Sequence, residues 1–195
     1  MIKFHRLKGE EARPYVNDMA SLRLKVFRSF PYLYEGTLEY EKNYLATYFK
    51  ARNSFIFLIE DRGEIVGATT SILASEEEVN FRKPFEDHGF DSNRVFYFGE
   101  SVLLSEYRGQ GFGKIFFQER EAFARTIPLV DTLSFCAVER PSDHPLKPQD
   151  YKPLNSFWES MGFSKAEGLR TTYSWKDIDK INEDSKEMQF WIKKI

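Results

Sequence analysis

The chain has little cysteine, little histidine and no long apolar run. Its 195 residues include one cysteine, Cys136, and three histidines. A lone cysteine excludes an internal disulfide and suits a reducing compartment. The longest uninterrupted apolar run, residues 55–59, is far shorter than the ~20 residues that a membrane-spanning helix needs. Residues 1–14 are rich in charge and contain no apolar signal region. These absences predict a cytoplasmic protein without a membrane segment.

The chain also lacks an excess of either charge. Lys and Arg total 28 and Asp and Glu total 30, so the net charge is −2. Nucleic-acid and membrane-surface binders need a basic excess, and neither class is expected here. No His, Cys or Asp spacing is typical of a metal site, so we expect no metal. Aromatic residues are abundant at 16%, and apolar residues make up 42%, which indicates a globular chain. The length and the absence of repeats and linkers predict one domain, residues 1–195.

Apolar spacing and turn residues predict an α/β (α+β) protein with the order β-α-α-β-β-β-α-β-α-β-β. The predicted strands are 2–6, 54–60, 65–73, 94–104, 132–138, 169–175 and 188–194, and the predicted helices are 14–30, 38–50, 113–125 and 154–162. The polar segment 74–93 is interpreted as an excursion with room for a short helix, and Glu76–Glu78 as a solvated face. The loop 139–153 contains four prolines and is expected to be irregular.

A glycine-rich stretch, YRGQGFGK at residues 107–114, lies between a predicted strand and a predicted helix. Two common phosphate-binding patterns fail on it. A P-loop needs glycine where Arg108 stands and a hydroxyl residue where Ile115 stands. A dinucleotide fingerprint that begins at Gly109 needs glycine where Lys114 stands.

A third pattern, [RQ]-x-x-G-x-[GA], is met by Arg108, Gly111 and Gly113. Its glycines let backbone N–H groups turn inward around an anion, and the helix that follows adds the positive end of its dipole. Arg108 and Lys114 add charge suited to a pyrophosphate. The alternative is a plain strand-to-helix turn, which needs one glycine rather than three. The sequence therefore predicts an anion site.

Two segments carry a resemblance to a known family. SVLLSEYRGQGFGKIFF resembles the acyl-coenzyme-A-binding core of the GNAT superfamily of N-acetyltransferases, and LNSFWESMGF is similar to its asparagine-to-F-Y-E-K-x-G-F helix. The resemblance implies a GNAT-like mixed, twisted sheet flanked by helices and splayed where strands 94–104 and 132–138 part. It also implies transfer of an acetyl group from acetyl-CoA to an amine.

The same resemblance implies a set of binding residues. Backbone groups around Leu103 would bond the pantetheine arm and the thioester carbonyl, and Asn155 would face the cofactor. The pyrophosphate would be held by the amides of Arg108, Gly109, Gln110, Gly111, Phe112, Gly113 and Lys114. In GNAT folds the first two helices commonly roof the acceptor pocket. The segment that joins them carries Tyr32, Tyr34 and Glu35, which suit an amine-bearing acceptor or only pack.

Glu100 is a carboxylate in an otherwise apolar predicted strand, FYFGESVLL. A primary amine with a pKa of ~10 must lose a proton before it can attack a thioester. The family resemblance implies a glutamate beside the reacting carbonyl on this strand, so Glu100 is the candidate general base. The alternative is a structural glutamate that is neutralised by an arginine or exposed at a bulge.

The departing thiolate has no obvious proton donor. Trp158 stands where the family often has a tyrosine acid, and an indole N–H delivers no proton near neutral pH. Tyr151 in the preceding loop, water, or an unassisted thiolate (thiol pKa ~8.5) remain as alternatives. Trp158 itself is expected to pack. His144 is expected to shape its loop or to gate the substrate, and Cys136 is expected to be a buried strand cysteine.

These features predict an acyl-CoA-dependent N-acetyltransferase whose partners are coenzyme A and an amine of unidentified structure. The alternative is a non-catalytic acyl-CoA-binding sensor or interaction module, which Trp158 favours and Glu100 disfavours. The C-terminal strand is a candidate for pairing across a homodimer.

Overall fold

The chain forms one seven-stranded mixed sheet in the computed structural model, which describes residues 1–195 without a gap. The strands are β1 (Ile2–Leu7), β2 (Phe55–Asp61), β3 (Glu64–Leu73), β4 (Val95–Leu103), β5 (Thr132–Val138), β6 (Ser164–Trp175) and β7 (Asp184–Lys194). The α-helices are α1 (Val16–Phe27), α2 (Leu38–Lys50), α3 (Val79–Asp87), α4 (Phe112–Ala124) and α5 (Asn155–Ser160). This order confirms the predicted succession, with α3 added inside the segment 74–93.

Helices cover both faces of the sheet, which explains why β2 is apolar along most of its length. Ile56 and Leu58 belong to a core shared with α1 and α2. Phe55, Phe57 and Ile59 belong to a second core shared with α4. Successive strand residues face opposite sides, so the two cores lie on opposite faces of the sheet.

The strands β4 and β5 meet only at one end. The sheet order is β1-β2-β3-β4-β5-β7-β6, and the β4–β5 pair is the one parallel pair in it. Val95–Tyr97 pair with Thr132–Ser134, and beyond them β4 pairs only with β3 and β5 only with β7. The two strands therefore part and leave a wedge, which confirms the predicted splayed sheet.

A β-bulge at Gly99 interrupts β4 beside this wedge. The pairing of β4 with β3 shifts by one residue between Thr70 and Ser71, opposite Gly99. A Cβ at Gly99 would lie 2.0 Å from the Tyr48 hydroxyl, so only glycine fits. A bulge changes the direction of the side chains that follow, and here Glu100 faces α1 and α2.

Some element boundaries differ from the prediction. α1 ends at Phe27, a few residues before the predicted end near Pro31. β6 begins at Ser164 and β7 at Asp184, several residues earlier than expected. Their first residues are largely polar and exposed, so apolar alternation does not mark them.

The segment 74–93 is more ordered than expected. α3 buries Phe81 and Phe85, which lie one turn apart. The interpretation of Glu76–Glu78 as a solvated face is wrong for Glu77, which is 4% exposed. Tyr48 covers Glu77 and donates a hydrogen bond to it (2.9 Å).

The C-terminal strand is an interior strand of the sheet. β7 is bonded to β5 on one side and to β6 on the other, and β1 and β6 are the edges. The expectation that this strand pairs across a dimer is wrong, because both of its backbone edges are already bonded. A homodimer built in another way stays a prediction.

Candidate active site

The glycine-rich stretch forms an exposed turn at the N-terminus of α4. Gly109 and Gly111 have φ angles of 74° and 88°, in the left-handed region that favours glycine. No heavy atom lies within 4 Å of the position that a Cβ would take at either residue. The N–H of Ile115 bonds back to the Gly111 carbonyl (3.2 Å), and the amides of the first helical turn before it lack intrahelical partners. The turn thus has open space and free donors, as an anion site needs.

Polar side chains surround this turn. Arg108 and Lys114 are exposed cations. Arg108 Nε donates to the Leu103 carbonyl (3.3 Å), and Gln110 Nε2 donates to a carbonyl one turn earlier (2.9 Å). Asn155 is the first residue of α5, half-buried, and its amide has no hydrogen bond within the protein.

Phe112 and Gly113 set how α4 leaves the turn. Phe112 is buried in the second core, and its ring lies 6.4 Å from the Phe4 ring. Gly113 faces α5, where a Cβ would lie 3.5 Å from Phe157. A large residue at Gly113 would therefore narrow the space between α4 and α5.

Glu100 is buried in an ionic cluster with α1 and α2. Its Oε2 lies 2.7 Å from Arg23 Nη1, and the Nε of the same guanidinium donates to Glu41. Both carboxyl side chains are at most 3% exposed. Burial opposes the charge on Arg23, but Glu100, Tyr44 and Glu41 outweigh it and raise the pKa of Arg23 well above its usual value. Two carboxylates thus share one permanent cation.

The cluster has unused acceptors. The other oxygens of Glu100 and Glu41, both Oε1, are buried without a hydrogen-bond partner. Buried polar atoms are rarely left unpaired, and such atoms are expected where water or a ligand binds. The Glu100 carboxylate therefore keeps one free acceptor oxygen beside the cation that neutralises it.

The backbone of Glu100 is held from both sides. Its carbonyl accepts hydrogen bonds from Thr69 Oγ1 (2.6 Å) and from Arg120 Nη1 (3.3 Å). Arg120 is 2% exposed, and its guanidinium lies 4.0 Å from the centre of the Phe98 ring. Burial lowers the pKa of Arg120 to about 9, although Glu100 opposes the shift. These contacts fix the bulge that directs Glu100 toward the helices.

Tyr32 lies in the loop between α1 and α2 and packs inside the molecule. Its ring centre is 4.6 Å from that of Phe27 and 5.9 Å from that of Trp175. Arg140 Nη2 donates to the Tyr32 carbonyl (2.7 Å), and the same guanidinium makes two bonds to Asp177 (2.7 and 2.8 Å). The loop is therefore pinned to the end of β5 and to the β6–β7 connection.

Tyr34 and Glu35 lie closer to the surface of the same loop. The backbone of Tyr34 forms an isolated bridge with Asp177. Glu35 contacts Arg28 (3.2 Å) and Lys176 (3.3 Å), which lower the pKa of its carboxyl. Only Tyr34 is linked to the ionic cluster, since a hydrogen bond to Glu41 adds to the burial that raises the pKa of its hydroxyl.

Comparison with known proteins identifies the family. The profile of the Acetyltransferase (GNAT) family matches residues 19–148, most of the chain. The chain belongs to the GNAT acetyltransferase family. A search of curated protein sequences finds no match.

Solved structures share this GNAT fold at low sequence identity. NAA60 of Arabidopsis thaliana in complex with acetyl-CoA superposes with a TM-score of 0.63 at 15% identity, covering 100% of this chain and 99% of that one. Ribosomal-protein-alanine N-acetyltransferase from Brucella melitensis gives 0.61 at 14% identity, and a putative phosphinothricin N-acetyltransferase gives 0.62 at 12%, both with 100% and 99% coverage. Likeness at this identity establishes the fold.

Trp158 and Tyr151 occupy different environments in this GNAT chain. The Trp158 ring packs against Phe135 (5.0 Å) and Trp191 (5.1 Å), as expected of a packing residue. Tyr151 is half-buried, with its ring 4.6 Å from that of Phe30. Burial raises the pKa of the Tyr151 hydroxyl, which therefore stays protonated at neutral pH.

Two further sequence interpretations concern Cys136 and His144. Cys136 is buried, as predicted, and burial raises the pKa of its thiol to about 12. His144 Nδ1 accepts a hydrogen bond from the Leu146 amide (3.2 Å) and has no hydrogen bond to Asp143. The histidine therefore shapes its own loop in this structure.

Arg23, Glu41 and Tyr44 are residues of the site that the sequence did not single out. A usable signal was present, because each charged residue lies at apolar spacing on an amphipathic helix. Arg23 falls one turn after Met19 on the buried face of α1, and Glu41 falls one turn before Leu45 on α2. A charge on an apolar helix face indicates either a buried ion pair or a site.

No helix of the structure combines the length and the apolar character needed to cross a bilayer. No three His, Cys, Asp or Glu side chains are grouped in a way that could hold a metal ion.

Proposed function

We propose that this GNAT protein transfers an acetyl group from acetyl-CoA to an amine, with Glu100 as the general base. One observation carries the proposal: the buried Glu100 carboxylate and the open glycine turn belong to the same β4–α4 unit, beside the wedge between β4 and β5. An acid–base group and an anion site are thus rigidly linked, as transfer from a pyrophosphate-bearing donor requires.

The residues that would hold the donor fit its chemistry. Free helix-end amides, Arg108 and Lys114 suit a pyrophosphate. The edge of β4 that faces β5 is unpaired beyond Tyr97, which leaves Leu103 beside the wedge for the amides of a pantetheine arm. Asn155 offers an amide without a partner in the protein. When bound, acetyl-CoA supplies an acyl group activated as a thioester.

The reaction needs one proton acceptor and one proton donor. As the amine nitrogen forms its bond to the acyl carbon, Glu100 takes the proton that the nitrogen loses. The carbon–sulfur bond then breaks, and the thiolate takes a proton from Tyr151 or from water. Trp158 has no part in this transfer, because its indole does not titrate near neutral pH.

The acceptor would enter from the side of the α1–α2 loop. Tyr32, Tyr34 and Glu35 are the proposed contacts on this loop, and the loop is held in place by Arg140. The Brucella and phosphinothricin enzymes are named as N-acetyltransferases, which supports an amine acceptor here.

A non-catalytic acyl-CoA-binding module is the second candidate. The ion pair between Glu100 and Arg23 favours it, since a carboxylate held by a cation also has a purely structural explanation. The two functions differ in turnover and not in binding.

One experiment separates them. The purified protein is incubated with acetyl-CoA and a panel of small amines, amino acids and peptides with free N-termini, while released thiol and acetylated product are measured. Titration calorimetry with acetyl-CoA runs in parallel. Product with at least one amine supports the transferase, binding without product supports the module, and absence of binding contradicts both.

The single domain, the cytoplasmic location, the lack of a metal and the homodimer stay predictions.

A further inference from the structure

A line of hydrogen-bonding groups leads from Glu100 through two tyrosines of α2 to Glu77. The Tyr44 hydroxyl is 3.4 Å from Glu100 Oε2 and 2.9 Å from the Tyr48 hydroxyl. The Tyr48 hydroxyl is in turn 2.9 Å from Oε2 of Glu77. Four side chains from α2, β4 and the segment after β3 thus form one continuous path, which we call the Tyr44–Tyr48 chain.

The backbone is shaped to admit this chain. Tyr44 and Tyr48 are one turn apart on α2, so both hydroxyls reach the same region of the sheet. Gly99 leaves the space that the Tyr48 hydroxyl fills, since a Cβ there would approach it to 2.0 Å. The bulge that directs Glu100 into the site therefore also makes room for the next hydroxyl.

Glu77 has the properties of a proton acceptor at the end of the chain. It is 4% exposed and makes no ion pair, which is unusual for a buried carboxylate. Burial raises its pKa to about 7, although hydrogen bonds from the Glu78 amide and Tyr48 oppose the shift. The nearby charge of Glu100 acts in the same direction as burial.

Glu77 has no cation within ion-pair distance, and the guanidinium of Arg82 on α3 instead contacts Glu86 (3.2 Å) and the Ser75 carbonyl (3.5 Å). Glu78 adjoins Glu77 in the chain, and the charge of Glu77 raises the pKa of Tyr97 on β4 and of Cys136 on β5 in addition to their burial. Burial raises the pKa of Tyr48 and Tyr44 as well, so both stay protonated. Hydroxyls of this kind move a proton by accepting one and donating another, without ionising.

We propose that the Tyr44–Tyr48 chain carries the proton that Glu100 removes from the amine to Glu77, an inference that rests on the proposed function. The proton taken up on the free Oε1 of Glu100 comes to the side of Tyr44 when the carboxyl group turns. Glu100 then gives this proton to the Tyr44 oxygen, Tyr44 gives its own to the Tyr48 oxygen, and Tyr48 gives its own to Glu77. Each O–H bond that breaks is matched by one that forms, and Glu100 is again a carboxylate. Loss of the proton from Glu77 to water and rotation of the hydroxyls reset the chain.

The test compares Glu77→Gln and Tyr48→Phe with the wild type across pH. Glutamine still accepts the Tyr48 hydrogen bond but takes up no proton, and phenylalanine breaks the chain at its centre. We expect each variant to bind acetyl-CoA with unchanged Kd and to lose about tenfold in kcat, which is less than the ~10²–10⁴ typical of losing an acid–base group because water is a partial substitute for the chain. Wild-type kcat should rise with pH through an ionisation near 7, which both variants lack.

Tyr40→Phe is the matched control, because Tyr40 is also on α2 and its hydroxyl bonds another tyrosine, Tyr173, outside the chain. It should keep the wild-type profile. The double variant Tyr48→Phe/Glu77→Gln should lose no more than either single one, since both interrupt one path. The relay is overturned if Glu77→Gln and Tyr48→Phe keep the activity and pH profile of the wild type, or if Tyr40→Phe loses as much kcat as they do. The proposed function would survive either result. A wild type that binds acetyl-CoA but acetylates no amine overturns the proposed function and the relay together.

Discussion

The assignment of Glu100 as the base can be separated from a structural role by comparing Glu100→Gln with Glu41→Gln. Both glutamates are buried and both contact the guanidinium of Arg23. Each substitution keeps the size of the side chain and removes one of the two charges that neutralise Arg23. The two variants therefore disturb the same cluster, but only one of them removes the proposed base.

The stability effect should be similar for both variants. Removing one partner of a buried ion pair costs about 3–5 kcal/mol when the other is left alone. Arg23 keeps one carboxylate in either variant, so we expect about half that loss, ~2 kcal/mol. For a chain of this size such a loss lowers Tm by roughly 4–8 °C, which thermal unfolding followed by circular dichroism resolves.

The rate effect should differ. Loss of a general base costs ~10²–10⁴ in rate, so kcat of Glu100→Gln should fall in that range while its Kd for acetyl-CoA is retained. The deficit should shrink at high pH, where more of the amine is already unprotonated. Glu41→Gln should lose less than about tenfold, because it acts only through the position of Arg23.

The measurement is steady-state kinetics with the best amine of the panel, with kcat corrected for the folded fraction. It distinguishes a base from a structural role for Glu100. Equal losses in the two variants would mean that the cluster is structural. Full activity of Glu100→Gln between about pH 6 and 9 would refute the base assignment, since the free amine is scarce over most of that range. The transferase proposal would survive, with water as the acceptor.

Further expectations concern the donor site, the proton donor and Glu77. Gly111→Val should abolish acetyl-CoA binding in calorimetry. The control is Gly63→Val in the β2–β3 turn, an equally open residue with a φ angle of 87°. It should have the same backbone strain but bind acetyl-CoA normally. Trp158→Phe should lower Tm with little change in kcat per folded molecule, and a loss of several decades at normal Tm would contradict this. Tyr151→Phe should slow turnover if the phenol protonates the thiolate, and unchanged kcat would assign that step to water. The pKa of Glu77, about 7 in the fold and ~4.3 unfolded, predicts that stability falls as pH rises from about 4 to 7 and is level above. In urea unfolding, the free energy of unfolding of Glu77→Gln should depend less on pH than that of the wild type. The same pH dependence in both proteins would show that the pKa of Glu77 is not raised by folding.

Local features of this fold were open to prediction from the sequence. The order of strands and helices follows from apolar period and turn residues. The glycine turn follows from backbone freedom, because only glycine occupies the left-handed region at Gly109 and Gly111 without strain. Strand starts were less accessible where the strand is polar and lies at an edge, as in β6.

The candidate site was predictable only in part. Glu100 stood out because it interrupts an apolar strand. The glycine turn stood out because three glycines in one short turn cost conformational entropy on folding. Glu77 was misinterpreted, because three consecutive acidic residues look solvated unless the tyrosine that covers the middle one is known. Arg23 and Glu41 interrupt the apolar faces of their helices, but that signal alone does not distinguish a buried ion pair from a functional site.

By itself the sequence determined the segments, the glycine turn and the carboxylate in β4, since each depends on neighbours a few residues away. Only the tertiary structure decided what faces that carboxylate. Arg23 is 77 residues away from Glu100 in the chain, and Tyr44 is 56 residues away. Partners at such distances are set by how α1 and α2 pack on the sheet and by the bulge at Gly99. The bulge turns the Glu100 side chain toward the helices and leaves space for the Tyr48 hydroxyl. No local pattern encodes that packing, because the burial of a charge depends on the whole surface that closes over it.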